Sequence, residues 1–188
     1  MRKIIIDTDP GQDDALAMMT AFGAKKDLNV LGVTCVAGNV PLNLTSVNAL
    51  KICELSGFFG VPVFRGSPAP LKRKLITAEH VHGKTGLDGT DLLVKKKELE
   101  PTDAVDFIIE CTEKYRDEKI TICALGPLTN VAKVLKKDSV LTESIEEIVL
   151  MGGGFFEGGN ITPAAEFNIY VDPEAAKIVL ESGLKITI

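Results

Sequence analysis

Asp7-Thr8-Asp9-Pro10-Gly11-Gln12-Asp13-Asp14 sets four carboxylates within eight positions. Like charges this close raise one another's pKa. A bound cation offsets that cost, and carboxylate oxygens are hard ligands suited to Ca²⁺ or Mg²⁺. No Cys or His stands nearby, so zinc is disfavoured. A local reading competes: Asp13 and Asp14 cap a helix and complement its dipole, while Asp7 ends a strand. Capping alone leaves Asp9 and the density of charge unexplained.

Other polar groups recur where apolar runs end. Asn39 follows the run Leu28 to Cys35. The carbonyl of Leu125, beside Gly126-Pro127, follows Ile120 to Leu125. Met151 precedes Gly152-Gly153-Gly154. That glycine run lacks both the G-x-G-x-x-G spacing and the Walker lysine. It is read as letting backbone approach a ligand closely. Asn160, Glu166 and Asn168 then fall in a short polar segment read as loop-like, with acceptors and amides suited to sugar hydroxyls. Both histidines lie in Glu79-His80-Val81-His82-Gly83, inside an irregular stretch from Arg65 to about Glu100. A loop that long is usually functional; otherwise it is a surface excursion.

The elements that must position these groups alternate. Ile4-Ile5-Ile6 reads as a strand buried on both faces, running about Lys3 to Asp7. A helical pattern follows from about Asp13 to Ala24, through Leu16, Met18, Met19 and Phe22. Further strands are expected at Leu28 to Cys35, Val61 to Phe64, Ile120 to Leu125, Ile145 to Met151 and Leu184 to Ile188. Helices are expected after Pro41, from an N-cap at Thr102, after Gly126-Pro127, and at Asp172-Pro173, where Asp is the N-cap and Pro takes the first turn. Strand–helix alternation means an α/β fold: an open, mainly parallel sheet with crossover helices on both faces, Rossmann-like. Residues at the carboxyl ends of its strands then share one rim, where such sheets bind ligands.

Bulk properties exclude several classes. The chain has 188 residues, 45% of them hydrophobic and 25% charged. That supports one domain over residues 1–188 with a real core. The net charge of −5 argues against a nucleic-acid partner; Lys95-Lys96-Lys97 is read as a solvated loop. Four cysteines without a C-x-x-C pair fit a reducing, cytoplasmic compartment, with Cys35 and Cys123 as small hydrophobes. No signal peptide is expected ahead of the first strand, and no apolar run suits a membrane span.

Asp-Thr-Asp-Pro-Gly-x-Asp-Asp-Ala resembles the signature of the inosine-uridine-type nucleoside hydrolases. The resemblance extends in order to Gly38-Asn39, Leu125-Gly126-Pro127-Leu128-Thr129-Asn130, Met151-Gly152-Gly153-Gly154, Ala165-Glu166-Phe167-Asn168 and Asp172-Pro173-Glu174-Ala175. It implies the nucleoside hydrolase fold and Ca²⁺-dependent cleavage of the N-glycosidic bond of ribonucleosides, giving ribose and free base, in purine and pyrimidine salvage. It also implies a homo-oligomer, dimer or tetramer; no membrane partner is expected, since no apolar run is long enough to span a bilayer.

Residue by residue, the resemblance makes Asp9, Asp14 and the Leu125 backbone oxygen Ca²⁺ ligands. Asp9 is also the general base on a water that Asn39 orients. Asp13 accepts from the 2′-hydroxyl, Asn168 serves the 2′/3′ side, Asn160 and Glu166 hold the 5′ end, and Met151 packs beside the sugar. Val81 and His82 sit on a flap over the base, and Asp7 supports the ligand acids. The family's pattern continues beyond this sequence, with a His-Asp segment that this chain lacks. The fold is therefore expected to lack its C-terminal part, and the 188-residue chain to have weak metal affinity and little turnover. Two alternatives remain open: an inactive relative that binds Ca²⁺ or ribose, and a haloacid-dehalogenase-type phosphatase. In the latter, Pro10-Gly11 is out of place and Asp13-Asp14 is unexplained.

Overall fold

The structure, a computed structural model, describes residues 1–90, 92–94, 96–137 and 139–188. It contains β1 (Arg2–Thr8), α1 (Gln12–Gly23), β2 (Leu28–Cys35), α2 (Leu42–Leu55), β3 (Val63–Arg65), α3 (Glu79–His82) and α4 (Ala104–Lys114). There follow β4 (Ile120–Ala124), α5 (Thr129–Lys137), a 3₁₀ turn (Ser139–Ser144), β5 (Ile145–Leu150), α6 (Phe167–Val171), α7 (Pro173–Leu180) and β6 (Ile186–Thr187). Among the described residues six strands form one sheet in the order β3-β2-β1-β4-β5-β6, and every neighbouring pair is parallel.

Period-two alternation explains the layers. Ile5 packs with Val105, Ile108, Val131, Val134 and Val179 from α4, α5 and α7. Its neighbours Ile4 and Ile6 pack on the other face with Met18, Phe22, Ala49 and Ile52 from α1 and α2. Each such isoleucine contributes about 1.5–3 kcal/mol by leaving water. The helices on both faces thus exist because β1 has no polar face to show. Helix starts carry side-chain caps: Asp103, rather than the expected Thr102, accepts from Val105 N at 2.8 Å, and Asp172 accepts from Ala175 N at 3.0 Å.

Some expectations shift. The third strand is Val63–Arg65 rather than Val61 to Phe64. Pro62 lacks an N–H and enters the ladder only as an acceptor, from Val33 N at 2.9 Å. The segment holding Glu166 and Asn168 is not loop-like throughout, because Phe167–Val171 is helical. Glu166 supplies the N-cap, accepting from Asn168 N and Ile169 N. The stretch from Arg65 to Glu100 contains α3 and returns Leu87 to the core, 4% exposed, so it is more than a surface excursion. Of the three consecutive lysines, Lys95 lies outside the described residues. Lys96 N and Lys97 N both donate to Glu54 Oε1 at 2.7 Å, which fastens that run to the end of α2.

All four cysteines are unpaired thiols. Burial pushes Cys53 and Cys111 up to about 11, and Cys35 higher still, which fits small hydrophobes. Among the described residues no helix is long and apolar enough to cross a membrane.

Candidate active site

β1 lies between β2 and β4, and the chain fills one side of it before crossing to the other. Connections therefore diverge at the carboxyl ends of β1 and β4, leaving the crevice in which open α/β sheets bind ligands. The ladder runs on past the strands: Val36 N donates to Thr8 O at 3.0 Å and Leu125 N to Asp7 O at 2.7 Å. This register delivers Asp9, Asn39 and Leu125 to one place.

Asn39 ties the acids together. Its N–H donates to Asp9 Oδ2 at 2.7 Å, and its side-chain amide to Asp9 O at 3.1 Å and Asp14 Oδ2 at 3.2 Å. Asp14 also accepts from Thr8 Oγ1 at 2.6 Å and from Gly11 N at 3.0 Å. The last bond is a capping bond, so capping and site formation coexist at Asp14. Asp9 is only 1% exposed. A Cβ at Gly38 or at Gly126 would fall on one of its carboxylate oxygens, so both positions must be glycine for this carboxylate to fit.

Asp7 stands behind them, held by Thr34 Oγ1 at 2.6 Å and Asn130 Nδ2 at 2.8 Å, both donating to Oδ1. Its other oxygen, Oδ2, is buried without a hydrogen-bond partner among the described residues. Thr8, Thr34, Asn130, Gly38 and Gly126 carry no role in the sequence reading. Thr8 lies inside the opening motif and could have been found there. Thr34 and Asn130 are far apart in the chain, and only the sheet brings them to Asp7.

In front of the acids lies a cavity of about 220 Å³. Asn39, Asp13, Asp14, Leu125, Met151, Asn160, Glu166, Asn168 and His82 all line it. Asp9 does not; it backs the wall. On the far side Asn168 Nδ2 donates to Leu125 O at 2.9 Å and to Met151 O at 3.1 Å. A carbonyl oxygen has two lone pairs, so Leu125 O keeps one. Glu166 Oε2 accepts from Gly153 N at 3.1 Å, and Asn160 Oδ1 from Phe167 N at 2.8 Å. α3 adds His80, Val81 and His82 to the lining, and Ala78 just before it donates from its N–H to Asn39 O at 3.0 Å; Val81 is 64% exposed. Behind α3, Asp88 accepts from Lys84 N and Thr85 N and closes the turn.

The electrostatics favour a cation. Burial first, then the Asp14 charge, holds Asp9 well above the usual carboxylate range, with Asn39 N–H pulling the other way. Burial pushes Asp14 up to about 6 against the bonds from Thr8 and Gly11. Burial likewise raises Asp7 to about 6, opposed by Asn130 and Thr34. No lysine or arginine is among the described residues lining the cavity. Nor do three or more His, Cys, Asp or Glu side chains gather to hold a metal among the described residues. The groups that could hold a metal here are the Asp9 and Asp14 carboxylates and the main-chain oxygen of Leu125. That all-oxygen set fits a hard cation such as Ca²⁺.

Residues 4–188 match the family described as inosine-uridine preferring nucleoside hydrolase. The chain is 47% identical over 187 residues to uridine nucleosidase 1 of Arabidopsis thaliana, covering 99% of this chain and 55% of that protein. It is 45% identical over 185 residues to the pyrimidine-specific ribonucleoside hydrolase RihB of Escherichia coli, covering 98% and 58%. The solved purine-preferring ribonucleoside hydrolase from Gardnerella vaginalis superposes with a TM-score of 0.93 at 34% identity, covering 98% of this chain and 59% of that one. The chain thus spans less than two thirds of the length of these relatives.

Proposed function

The chain belongs to the inosine-uridine preferring nucleoside hydrolase family, and from that premise we propose that its cavity binds a ribonucleoside and hydrolyses the N-glycosidic bond with Ca²⁺ as cofactor. The products are ribose and the free purine or pyrimidine base. One observation carries the reading: two buried carboxylates, Asp9 and Asp14, share Asn39, and among the described residues no lysine or arginine lines the cavity. Such a pair is costly without a cation.

Asp9, Asp14 and the Leu125 carbonyl would hold Ca²⁺. When bound, it supplies the charge that orients the ribose 2′- and 3′-hydroxyls and makes a water more acidic. Asp9 takes the proton of the attacking water, and Asn39 N–H keeps the Asp9 carboxylate in place. Asp13 accepts from the 2′-hydroxyl. Asn168 serves the 2′/3′ side, held in orientation by the Leu125 and Met151 carbonyls. Asn160 and Glu166 bind the 5′-hydroxyl, Met151 packs beside the sugar, and His82 stands over the base.

As the C–N bond breaks, its electrons leave with the base, which takes up a proton from solvent, while positive charge develops on the ribose carbon and the water oxygen bonds there. The acids and amide oxygens around the cavity stabilise that charge. The same reading takes residues 1–188 as one nucleoside-hydrolase-like domain, working in the cytoplasm as a homo-oligomer.

The test is release of reducing sugar from inosine, uridine and cytidine, with Ca²⁺ and with a chelator, by the protein carrying this chain. Ribose release that the chelator stops and Ca²⁺ restores is expected. Ribose release indifferent to Ca²⁺, or release of phosphate from p-nitrophenyl phosphate in its place, overturns the reading.

A further inference from the structure

His82 meets the start of α1 through an unusually complete pair of contacts. Gln12 Nε2 donates to the main-chain oxygen of His82 at 3.2 Å, and Gln12 Oε1 lies 2.7 Å from His82 Nδ1. The two contacts fix the chemistry of both groups. A carbonyl oxygen only accepts, so the Gln12 amide must turn its NH₂ toward His82 O. That turn leaves Oε1, itself only an acceptor, against Nδ1. Nδ1 must therefore carry the hydrogen.

The surroundings enforce the approach. A Cβ at Gly11 would stand 2.5 Å from His82 Nδ1 and 2.9 Å from Cε1, so the ring packs where only glycine leaves room. Asp13 Oδ1 is 3.9 Å from the same nitrogen, with its side chain 73% exposed. It adds a weak, solvent-screened attraction to that side of the ring and no competing acceptor for Nε2.

The geometry points to Gln12 as a positioning residue for His82: it holds the neutral ring as the Nδ1–H tautomer and leaves Nε2 as the ring nitrogen available to a ligand in the cavity that His82 lines. Any proton that His82 exchanges with a bound base then passes through Nε2. The carbonyl contact also pins the last residue of α3, so one side chain of α1 sets both where the flap ends and which face of the imidazole it offers. That consequence rests on the hydrolase reading above, whereas the tautomer is measured without any turnover.

The experiment is ¹⁵N-histidine NMR on this chain, using long-range ¹H–¹⁵N correlations at about pH 8, above the ordinary imidazole pKa. The chain has two histidines, and His80→Gln identifies the His82 signals. Gln12 is exposed, so its variants leave the core untouched. The Nδ1–H pattern is expected for His82 in the wild type. Gln12→Met keeps the side-chain length without the hydrogen bonds, and is expected to move His82 to the Nε2–H form or to a mixture. Gln12→Glu retains an acceptor and is expected to keep Nδ1 protonated. An Nε2–H or doubly protonated His82 in the wild type overturns the assignment. So does an unchanged pattern in Gln12→Met, or loss of Nδ1 protonation in Gln12→Glu.

Discussion

Asn39 grips Asp9 at two points: its main-chain N–H donates to Oδ2 at 2.7 Å and its side-chain amide to the Asp9 carbonyl at 3.1 Å. A residue from the end of β2 thereby fixes an acid from the end of β1. The glycines at 38 and 126 then leave that acid just enough space. The arrangement spends stability to keep charge in place.

Asp9→Asn exposes that trade. An asparagine can still accept from Asn39 N–H, while the buried charge beside Asp14 is gone. In metal-free protein the variant is expected to be more stable by roughly 1–3 kcal/mol. It should also lose the stabilisation that Ca²⁺ gives the wild type, about 2.7 kcal/mol at a hundredfold excess over Kd. Thermal unfolding with and without Ca²⁺ reads both. A less stable variant with an intact Ca²⁺ shift contradicts the role given to Asp9.

Ribonucleosides should be preferred over 2′-deoxyribonucleosides. The 2′-hydroxyl is assigned to Asp13 and to the cation site, and a substrate without it leaves those groups unpaired. Sites of that kind discriminate by about 10⁴ or more in kcat/KM. Comparable rates on inosine and 2′-deoxyinosine would remove the assignment.

Asn168→Ala removes the donor shared by the Leu125 and Met151 carbonyls. Two partly buried acceptors lose their partner, at about 1–3 kcal/mol for a group left unsatisfied. Chemical denaturation should show that loss, and KM for ribonucleosides should rise because the Leu125 oxygen is no longer held. A neutral substitution on both counts would make Asn168 a bystander.

Much of this site could be read from spacing alone. The acids fall between an isoleucine run and an amphipathic pattern, so a strand end and a helix start were bound to hold them. Asn39, Leu125 and Met151 each follow a buried run, and a parallel sheet puts such positions on one rim. Glu166 was less legible. Its capping of a five-residue helix competes with a loop reading, because so short a helix shows no apolar period. The contacts of Thr34 and Asn130 with Asp7 span 27 and 123 residues, and no local pattern announces them. Gln12 was invisible for the same reason, since its partner lies 70 residues away.

At the opposite end of the sheet, Glu147 should make stability depend on pH. Thr187 Oγ1 donates to it at 2.5 Å, Lys185 lies at 3.3 Å and Arg2 at 3.6 Å. The Thr187 bond chiefly, then the Lys185 and Arg2 charges, hold its carboxyl below the usual value of 4.5. A depressed folded pKa gives stability that is present above the unfolded value and lost as pH falls through the folded one. The stability difference between wild type and Glu147→Gln should be constant above about pH 4.5 and shrink below it. A difference that grows on acidification would reverse the sign.

Calorimetric titration of Ca²⁺ into this chain, with and without ribose, tests the cation site most directly. On the proposed reading Asp9, Asp14 and the Leu125 oxygen would supply part of the roughly six to eight oxygens that Ca²⁺ takes, and the ribose 2′- and 3′-hydroxyls with one water would add the rest. Ribose should therefore tighten Ca²⁺ binding, and by linkage Ca²⁺ should tighten ribose binding by the same factor. Asp14→Ala should abolish both heats. Ca²⁺ binding of equal strength in Asp14→Ala, or no mutual effect of Ca²⁺ and ribose in the wild type, would contradict the site described.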